Sequence, residues 1–145
     1  MGVYIEIQMT SGDEDLVPKQ GHEGDAGFAL HARISTSVAP KSQQLVPTGV
    51  YLGLPKNAEA QVRPRSGLAA KHGITVLNSP GTIDAGYRGE VGVILYNTSE
   101  ESFPVNRGDR VAQMVIQQLP EVELDLVQSL SETTRGGRGF GSTGR

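Results

Sequence analysis

Short apolar runs that alternate residue by residue, separated by turn-forming residues about every ten positions, constrain this chain more than any other feature. Val3, Ile5, Ile7 and Met9 alternate with Tyr4, Glu6 and Gln8, the two-residue period of a strand buried on one face. Val50, Leu52 and Leu54 alternate again and are closed by Pro55. Val91 to Tyr96 is apolar on both faces apart from Gly92, the mark of a central strand. Val111 to Leu119 reads as another, with Gln113 and Gln117 on one face. Val122, Leu124 and Leu126, set between Glu121, Glu123 and Asp125, predict one more. The punctuation is Pro40-Lys41, Pro47, Pro55-Lys56-Asn57, Asn78-Ser79-Pro80-Gly81 and Asn106-Arg107-Gly108-Asp109, and residues 11–24 read as a polar loop. Many short strands at this spacing predict an all-β fold of the sandwich or barrel kind. One helix is expected, from Ser66 to His72 between Pro64 and Gly73, with Ser66 as N-cap and Gly73 as the stop.

At 145 residues the chain has the size of one domain, enough to bury about two-thirds of its unfolded surface. We read residues 1–131 as that β-domain and residues 132–145 as a flexible arm, because the composition shifts after about Glu132. From Arg135 to Arg145 there are five glycines, three arginines, Phe140 and the pair Ser142-Thr143. Glycine at that density costs strand and helix order, so the arm builds no core element. It can wrap a ligand, with arginine forks for phosphate oxygens and one aromatic face for a base. It can equally be a solvated terminus, and the arm alone does not decide between the two.

A net charge of −3 gives no polycationic surface for a nucleic-acid backbone. The basic residues cluster locally, at Arg63, Arg65 and Lys71, at Arg107 and Arg110, and in the arm, which suits a small polyanion. Absence of cysteine excludes disulfides, thiolate metal sites and cysteine nucleophiles. His22, His31 and His72 share no metal-ligand spacing. The first residues have too short an apolar run, and too early an acid in Glu6, for a leader or a myristoyl signal. No run approaches a membrane span. The expected setting is intracellular and cytoplasmic (nuclear in a eukaryotic or viral context), with no membrane or nucleic-acid partner.

Three further segments bring chemistry-bearing side chains together. Pro64-Arg65-Ser66-Gly67-Leu68-Ala69 opens the helix, and a helix start beside an arginine can be an anion site or an ordinary cap. Gly81-Thr82-Ile83-Asp84-Ala85-Gly86-Tyr87-Arg88-Gly89 brackets one carboxylate and one aromatic ring with glycines. That pair permits a base and a stacking platform, or an Asx-turn and a packed ring. Arg107-Gly108-Asp109-Arg110-Val111-Ala112-Gln113 enters a strand from a turn. Its Arg-Gly-Asp matches an adhesion tripeptide that belongs to secreted proteins, the Asp109–Arg110 pair can be structural, and Gln113 can serve a phosphate or its own sheet.

In this order, and together with Gly24-Asp25-Ala26-Gly27 and the arm, these segments resemble the trimeric deoxyuridine triphosphatase family over nearly the whole chain. The resemblance implies a β-rich, jelly-roll-like (β-clip) subunit with one short helix, in a homotrimer whose three sites lie at subunit interfaces. It implies hydrolysis of dUTP to dUMP and pyrophosphate, with Mg²⁺ chelated by the triphosphate and no direct protein ligand. Asp84 would position and deprotonate the attacking water, and Ser66 would stabilise charge on the leaving pyrophosphate. Arg65, Gly67 and Gln113 would contact phosphates. Asn78, Gly81, Thr82 and Ile83 would read the uracil edge, Tyr87 would pack under the deoxyribose, and Gly92 would let backbone approach the nucleotide. Phe140 would stack on the base while Arg135, Gly141, Ser142 and Thr143 close over the phosphates.

One position departs from the family. Its first motif ordinarily reads Ala-Gly-aromatic-Asp-Leu, and here it is Ala26-Gly27-Phe28-Ala29-Leu30. The resemblance puts the missing carboxylate near the metal's outer shell and the trimer's central contacts, so weakened hydrolysis with poorer magnesium dependence is expected. Asp25 is no stand-in, since four residues along a strand span roughly 13 Å. Two other activities exist on this fold: deamination of dCTP, and regulation of a protein partner by a nucleotide-binding relative with little turnover. The Tyr87 motif and the aromatic arm favour dUTP hydrolysis over the first. The lack of a long insertion between Glu90 and Pro120 speaks against the second.

Overall fold

Alternation turns into a two-layer β architecture once each strand finds its partner. The computed structural model describes residues 2–141, 143 and 144. In chain order the strands are β1 (Glu6–Met9), β2 (Lys19–Gln20), β3 (Gly27–His31), β4 (Thr36–Val38), β5 (Gln43–Gly53) and β6 (Ala58–Arg63). After the helix α1 (Ser66–His72) come β7 (Ile74–Val76), β8 (Gly81–Ile83), β9 (Glu90–Asn97), β10 (Phe103–Val105) and β11 (Arg110–Gln118). One sheet runs β1-β5-β9-β7, a second runs β2-β3-β11-β6-β8, and β10 pairs with β4 in a small third. Every pairing is antiparallel, which allows one face of each sheet to be apolar and the other polar.

Between the two large sheets lie Leu30, Val46, Val50, Val62, Val93, Leu95, Val111 and Met114, with Val38 and Val105 of the small sheet against them. Burial of each such side chain contributes about 1.5–3 kcal/mol. Two polar side chains are fully buried in this layer, and both are satisfied. Thr48 Oγ1 donates to the Val91 carbonyl at 2.5 Å. Asn97 Nδ2 donates to the carbonyls of Val38 (3.0 Å) and Glu101 (2.7 Å), and its Oδ1 accepts from the Ser99 backbone and hydroxyl. Asn97 thus fixes the end of β9 against β4 and shapes the turn that follows.

Several expectations from the alternation hold: β1, β5, β9 and β11 fall where it places them, and α1 spans Ser66 to His72. Gly73 ends the helix in the left-handed region, at φ 66°, a conformation that other residues adopt only at a cost. Four details differ. The residue in the cap position is Arg65, extended at φ −94° and ψ 131°, so Ser66 is the first helical residue and no side chain caps the helix. Pro47 lies inside β5 and not in a turn; the ladder to β9 breaks in register between Pro47 and Tyr51, the kind of irregularity where a residue without N–H is tolerated. The stretch 11–24 is not all loop, because a 3₁₀ turn at Glu14–Leu16 buries Leu16 and β2 follows it. Finally, no strand forms over Glu121–Leu126. Its alternation is present, yet among the described residues no strand pairs with it, and Leu124 and Leu126 stand 92% and 99% exposed.

The loop before β2 is clamped by charge. Asp13 accepts from Arg33 Nε at 2.8 Å and from Arg107 Nη2 at 2.9 Å, while Asp15 takes the rest of the Arg107 guanidinium. Arg107 above all, then Arg33, holds the Asp13 carboxyl below its ordinary value of 3.8. The same contacts occupy the Arg-Gly-Asp turn: Arg107 is bound to Asp13 and Asp15, and Asp109 accepts from the Asn106 backbone at 2.8 Å. Asp109 therefore does not pair with Arg110.

Two stability experiments follow from these contacts. Asn97→Ala strands the Val38 and Glu101 carbonyls and should cost about 2–3 kcal/mol in urea unfolding. A depressed carboxylate contributes stability that is present above its unfolded pKa and lost as pH falls through the lower folded value. Asp13→Asn should accordingly lower the thermal midpoint by several degrees at neutral pH. It should also leave the variant with a shallower loss of stability than the parent below the ordinary value of 3.8.

Candidate active site

Two clusters of candidate residues form, and the register of β6 sets where each lies. The first grows from the end of β6, where Arg63 leads through Pro64 into α1. Ser66 and Gly67 open the helix on the surface, and a Cβ added at Gly67 meets nothing within 4 Å in this chain. The leading N–H groups of a helix have no partner inside it; the first bond made is Ala69 N to the Arg65 carbonyl, at 3.1 Å. Arg65 Nη1 donates to the Arg110 carbonyl at 3.3 Å, tying the helix start to β11. Gln113 lies opposite Arg63 on one side and Ala29 on the other. Its Nε2 donates to the Pro64 carbonyl at 3.0 Å. A Cβ at Gly27 would collide with the Gln113 amide, so that glycine gives the glutamine its room.

The same edge of β3 carries His31, opposite Arg110. Its Nδ1 is buried without a hydrogen-bond partner among the described residues. Burial is the main reason the imidazole sits below its ordinary 6.5; a backbone contact with Leu16 opposes this, and Arg110, Lys19 and Arg65 add to it.

The second cluster is the turn that leads from β8 in one sheet to β9 in the other. Thr82, Ile83, Asp84, Tyr87, Glu90 and Gly92 line a recess of about 230 Å³. Tyr87 N closes the turn onto the Asp84 carbonyl at 3.1 Å, and the phenol oxygen donates to the Glu90 carbonyl at 3.0 Å. A Cβ at Gly89 would overlap the Tyr87 ring, so a glycine is what lets the ring fold back over the turn. Arg88 braces the same turn by donating to the Ala85 carbonyl at 2.7 Å. The Asp84 carboxylate is exposed and has no hydrogen-bond partner among the described residues. Asn78 sits over the start of β8, its amide nitrogen 3.3 Å from where a Gly81 Cβ would be. Gly92 lines the recess from β9, and the side chain of Leu45 leans over it, 2.7 Å from an added Cβ.

The arm holds itself. Arg135 Nε donates to the Arg138 carbonyl at 2.8 Å and Arg138 Nε to the Arg135 carbonyl at 2.9 Å. Phe140 is wholly exposed at a positive φ of 50°, and Gly141 and Thr143 follow it on the surface. Ser142 lies outside the described residues.

The two clusters do not meet within one chain. β8 runs antiparallel to β6 with Ile83 opposite Ala60 and Gly81 opposite Val62, so the chain leaves β8 toward the end of β6 away from α1. From Ala60 to Ser66 is on the order of 20 Å at strand rise. Ser66 and Asp84 therefore sit at opposite ends of the five-stranded sheet. Sequence reading had no access to Lys19, His31, Gly27 or Gly89 as parts of these clusters. Only Gly89, bracketing Tyr87, carried a local signal.

Comparison with known proteins identifies the family and the fold. The dUTPase family model matches residues 13–144. The deoxyuridine 5'-triphosphate nucleotidohydrolase of Clostridium novyi is 52% identical over 134 residues, covering 92% of this chain and 94% of that protein. That of Gloeothece citriformis is 57% identical over 129 residues, 89% of each. Among solved structures, the Staphylococcus bacteriophage 80alpha dUTPase G164S mutant with dUpNHpp superposes with a TM-score of 0.90 at 24% identity, covering 98% of this chain and 99% of that one. The fold is the dUTPase fold, and with half or more of its residues shared with such relatives over nine-tenths of its length, the chain belongs to the dUTPase family.

Proposed function

We propose that this protein hydrolyses dUTP to dUMP and pyrophosphate at sites assembled between copies of itself in a homotrimer. The observation that carries the chemistry is the recess at the β8–β9 turn, which offers an unpartnered carboxylate, Asp84, beside a ring fixed in place, Tyr87. In this reading Asp84 orients a water and takes its proton as the water oxygen attacks the α-phosphorus. The bond from that phosphorus to the α,β-bridging oxygen breaks, and pyrophosphate leaves. Ser66, Gly67 and the leading N–H groups of α1 from a second copy face the oxygens where charge develops, and such donors act without reorganising. Arg65 and Gln113 of that copy hold the phosphate chain. Tyr87 packs under the deoxyribose and leaves no room for a 2′-hydroxyl, while Asn78, Gly81, Thr82 and Ile83 read the uracil edge. The arm of a third copy closes with Phe140 on the base and Arg135, Gly141, Ser142 and Thr143 around the phosphates.

Assembly is supported by the two clusters facing away from one another and by the apolar row of Val122, Leu124, Leu126 and Leu130. That row is exposed in the single chain and is of a kind that marks interaction surfaces. Among the described residues no group of three or more His, Asp or Glu could hold a metal ion. Magnesium in this reading arrives on the triphosphate and neutralises its charge. Among the same residues no helix is long and apolar enough to cross a membrane.

Mixing two inactive variants tests the shared site. Asp84→Asn keeps shape without accepting a proton and should lose about 10²- to 10⁴-fold in kcat; Ser66→Ala should also fall sharply. Trimers reassembled from equal parts of both should regain activity at about a quarter of the sites, those taking an intact residue from each chain. Mixed trimers verified by mass that recover nothing would rule out the shared site. Removing residues 132–145 should leave the thermal midpoint of the free protein nearly unchanged while turnover collapses, because the arm has too little apolar surface to contribute to the core.

A further inference from the structure

Lys19, Ala29, Gln113 and Arg63 stand in one row across β2, β3, β11 and β6. Residues directly opposite in antiparallel strands share a face. This row points away from the core, into which the neighbouring Leu30 and Met114 are packed. Arg63 is held by Gln61 Oε1, with Nη2 at 2.7 Å, and Gln113 by the Pro64 carbonyl. Lys19 is exposed, and among the described residues its ammonium has neither an ion pair nor a hydrogen bond.

An exposed lysine alone says little, but two features set this one apart. Three cations gather around His31: Lys19, Arg110 and Arg65 all act on it in the same direction, and Arg110, like Lys19, has no carboxylate partner among the described residues. Unpaired cations gathered in this way repel one another, and an anion relieves the repulsion. The second feature is the residue between Lys19 and Gln113. Ala29 interposes only a methyl group across two strand spacings, roughly 10 Å, a gap that a lysine arm and a phosphate together can span. A carboxylate there would lie about 5 Å from the Lys19 Cβ and pair with the ammonium.

We infer that Lys19 is a phosphate-binding residue of this site, its ammonium reaching across Ala29 to the triphosphate oxygens held beside Gln113. A fixed side-chain charge then supplies part of the neutralisation that a cation on the substrate supplies otherwise. The inference rests on the dUTP reading above and adds to it a residue on none of the segments that carry the family resemblance.

Calorimetric titration of the full-length trimer with the hydrolysis-resistant analogue dUpNHpp tests it, with dUMP as control, in EDTA and in excess magnesium. Lys19→Gln should weaken the analogue about ten-fold or more in EDTA, the size of a lost charge-assisted hydrogen bond. It should lose less in magnesium, and dUMP should bind as to the parent. Lys19→Arg should retain most of the affinity. Ala29→Asp should mimic Lys19→Gln in EDTA, and the double variant should be no worse than either single one. Parent-like analogue binding by Lys19→Gln in EDTA, or additive losses in the double variant, would overturn the inference. A parent protein that binds dUpNHpp in neither buffer would instead overturn the dUTP reading.

Discussion

The antiparallel ladder around β6 is the constraint on which the rest of the molecule depends. β6 pairs with β11 on one side and β8 on the other, and these pairings send the helix start and the turn after β8 to opposite ends of one sheet. A chain so arranged cannot close a nucleotide between Ser66 and Asp84 by itself. It can present each half to a neighbouring copy. Strand direction thus favours the proposed site between copies, and the same direction leaves Arg63, Gln113, Ala29 and Lys19 in one row beside the helix start.

Around that ladder, polar groups are used where they cannot slide. Asn97 and Thr48 are buried and fully bonded, and a satisfied polar group in a dry layer fixes register because any displacement leaves an orphan. Asp13, itself buried and shared between Arg33 and Arg107, does the same for the loop that delivers β2. This is how a strand of two residues keeps Lys19 opposite Ala29. The candidate site has a different character. Ser66, Asp84 and Phe140 are exposed, as groups must be if their partners are substrate and another chain.

Strands long enough to show their period were legible in the chain: β1, β5, β9 and β11 each repeat an apolar residue at every second position. The helix was legible from Pro64, Gly73 and the basic last turn, and the segments around Ser66, Asp84 and Gln113 stood out by the side chains they bring together. Short strands were not. β2, β4, β8 and β10 span two or three residues, too few for a period to appear. β6 turns small side chains, Ala58 and Ala60, to the core, where they give little hydrophobic contrast. The segment Glu121–Leu126 misled for the opposite reason. Its alternation states which residues seek burial, but a strand also needs a ladder partner, and the described residues offer it none.

Resemblance to the family marked the missing carboxylate at Ala29. Local composition alone determined that the chain is all-β with one short helix and which segments bring chemistry-bearing side chains together. It did so because periodicity, turn chemistry and residue type act within a few residues along the backbone. Register, the row from Lys19 to Arg63, the glycines that make room for Gln113 and the Tyr87 ring, and the separation of the two half-sites were decided only in three dimensions. Those features depend on which strand lies beside which and in which direction, a choice made by burying both apolar faces at once and not by any one segment.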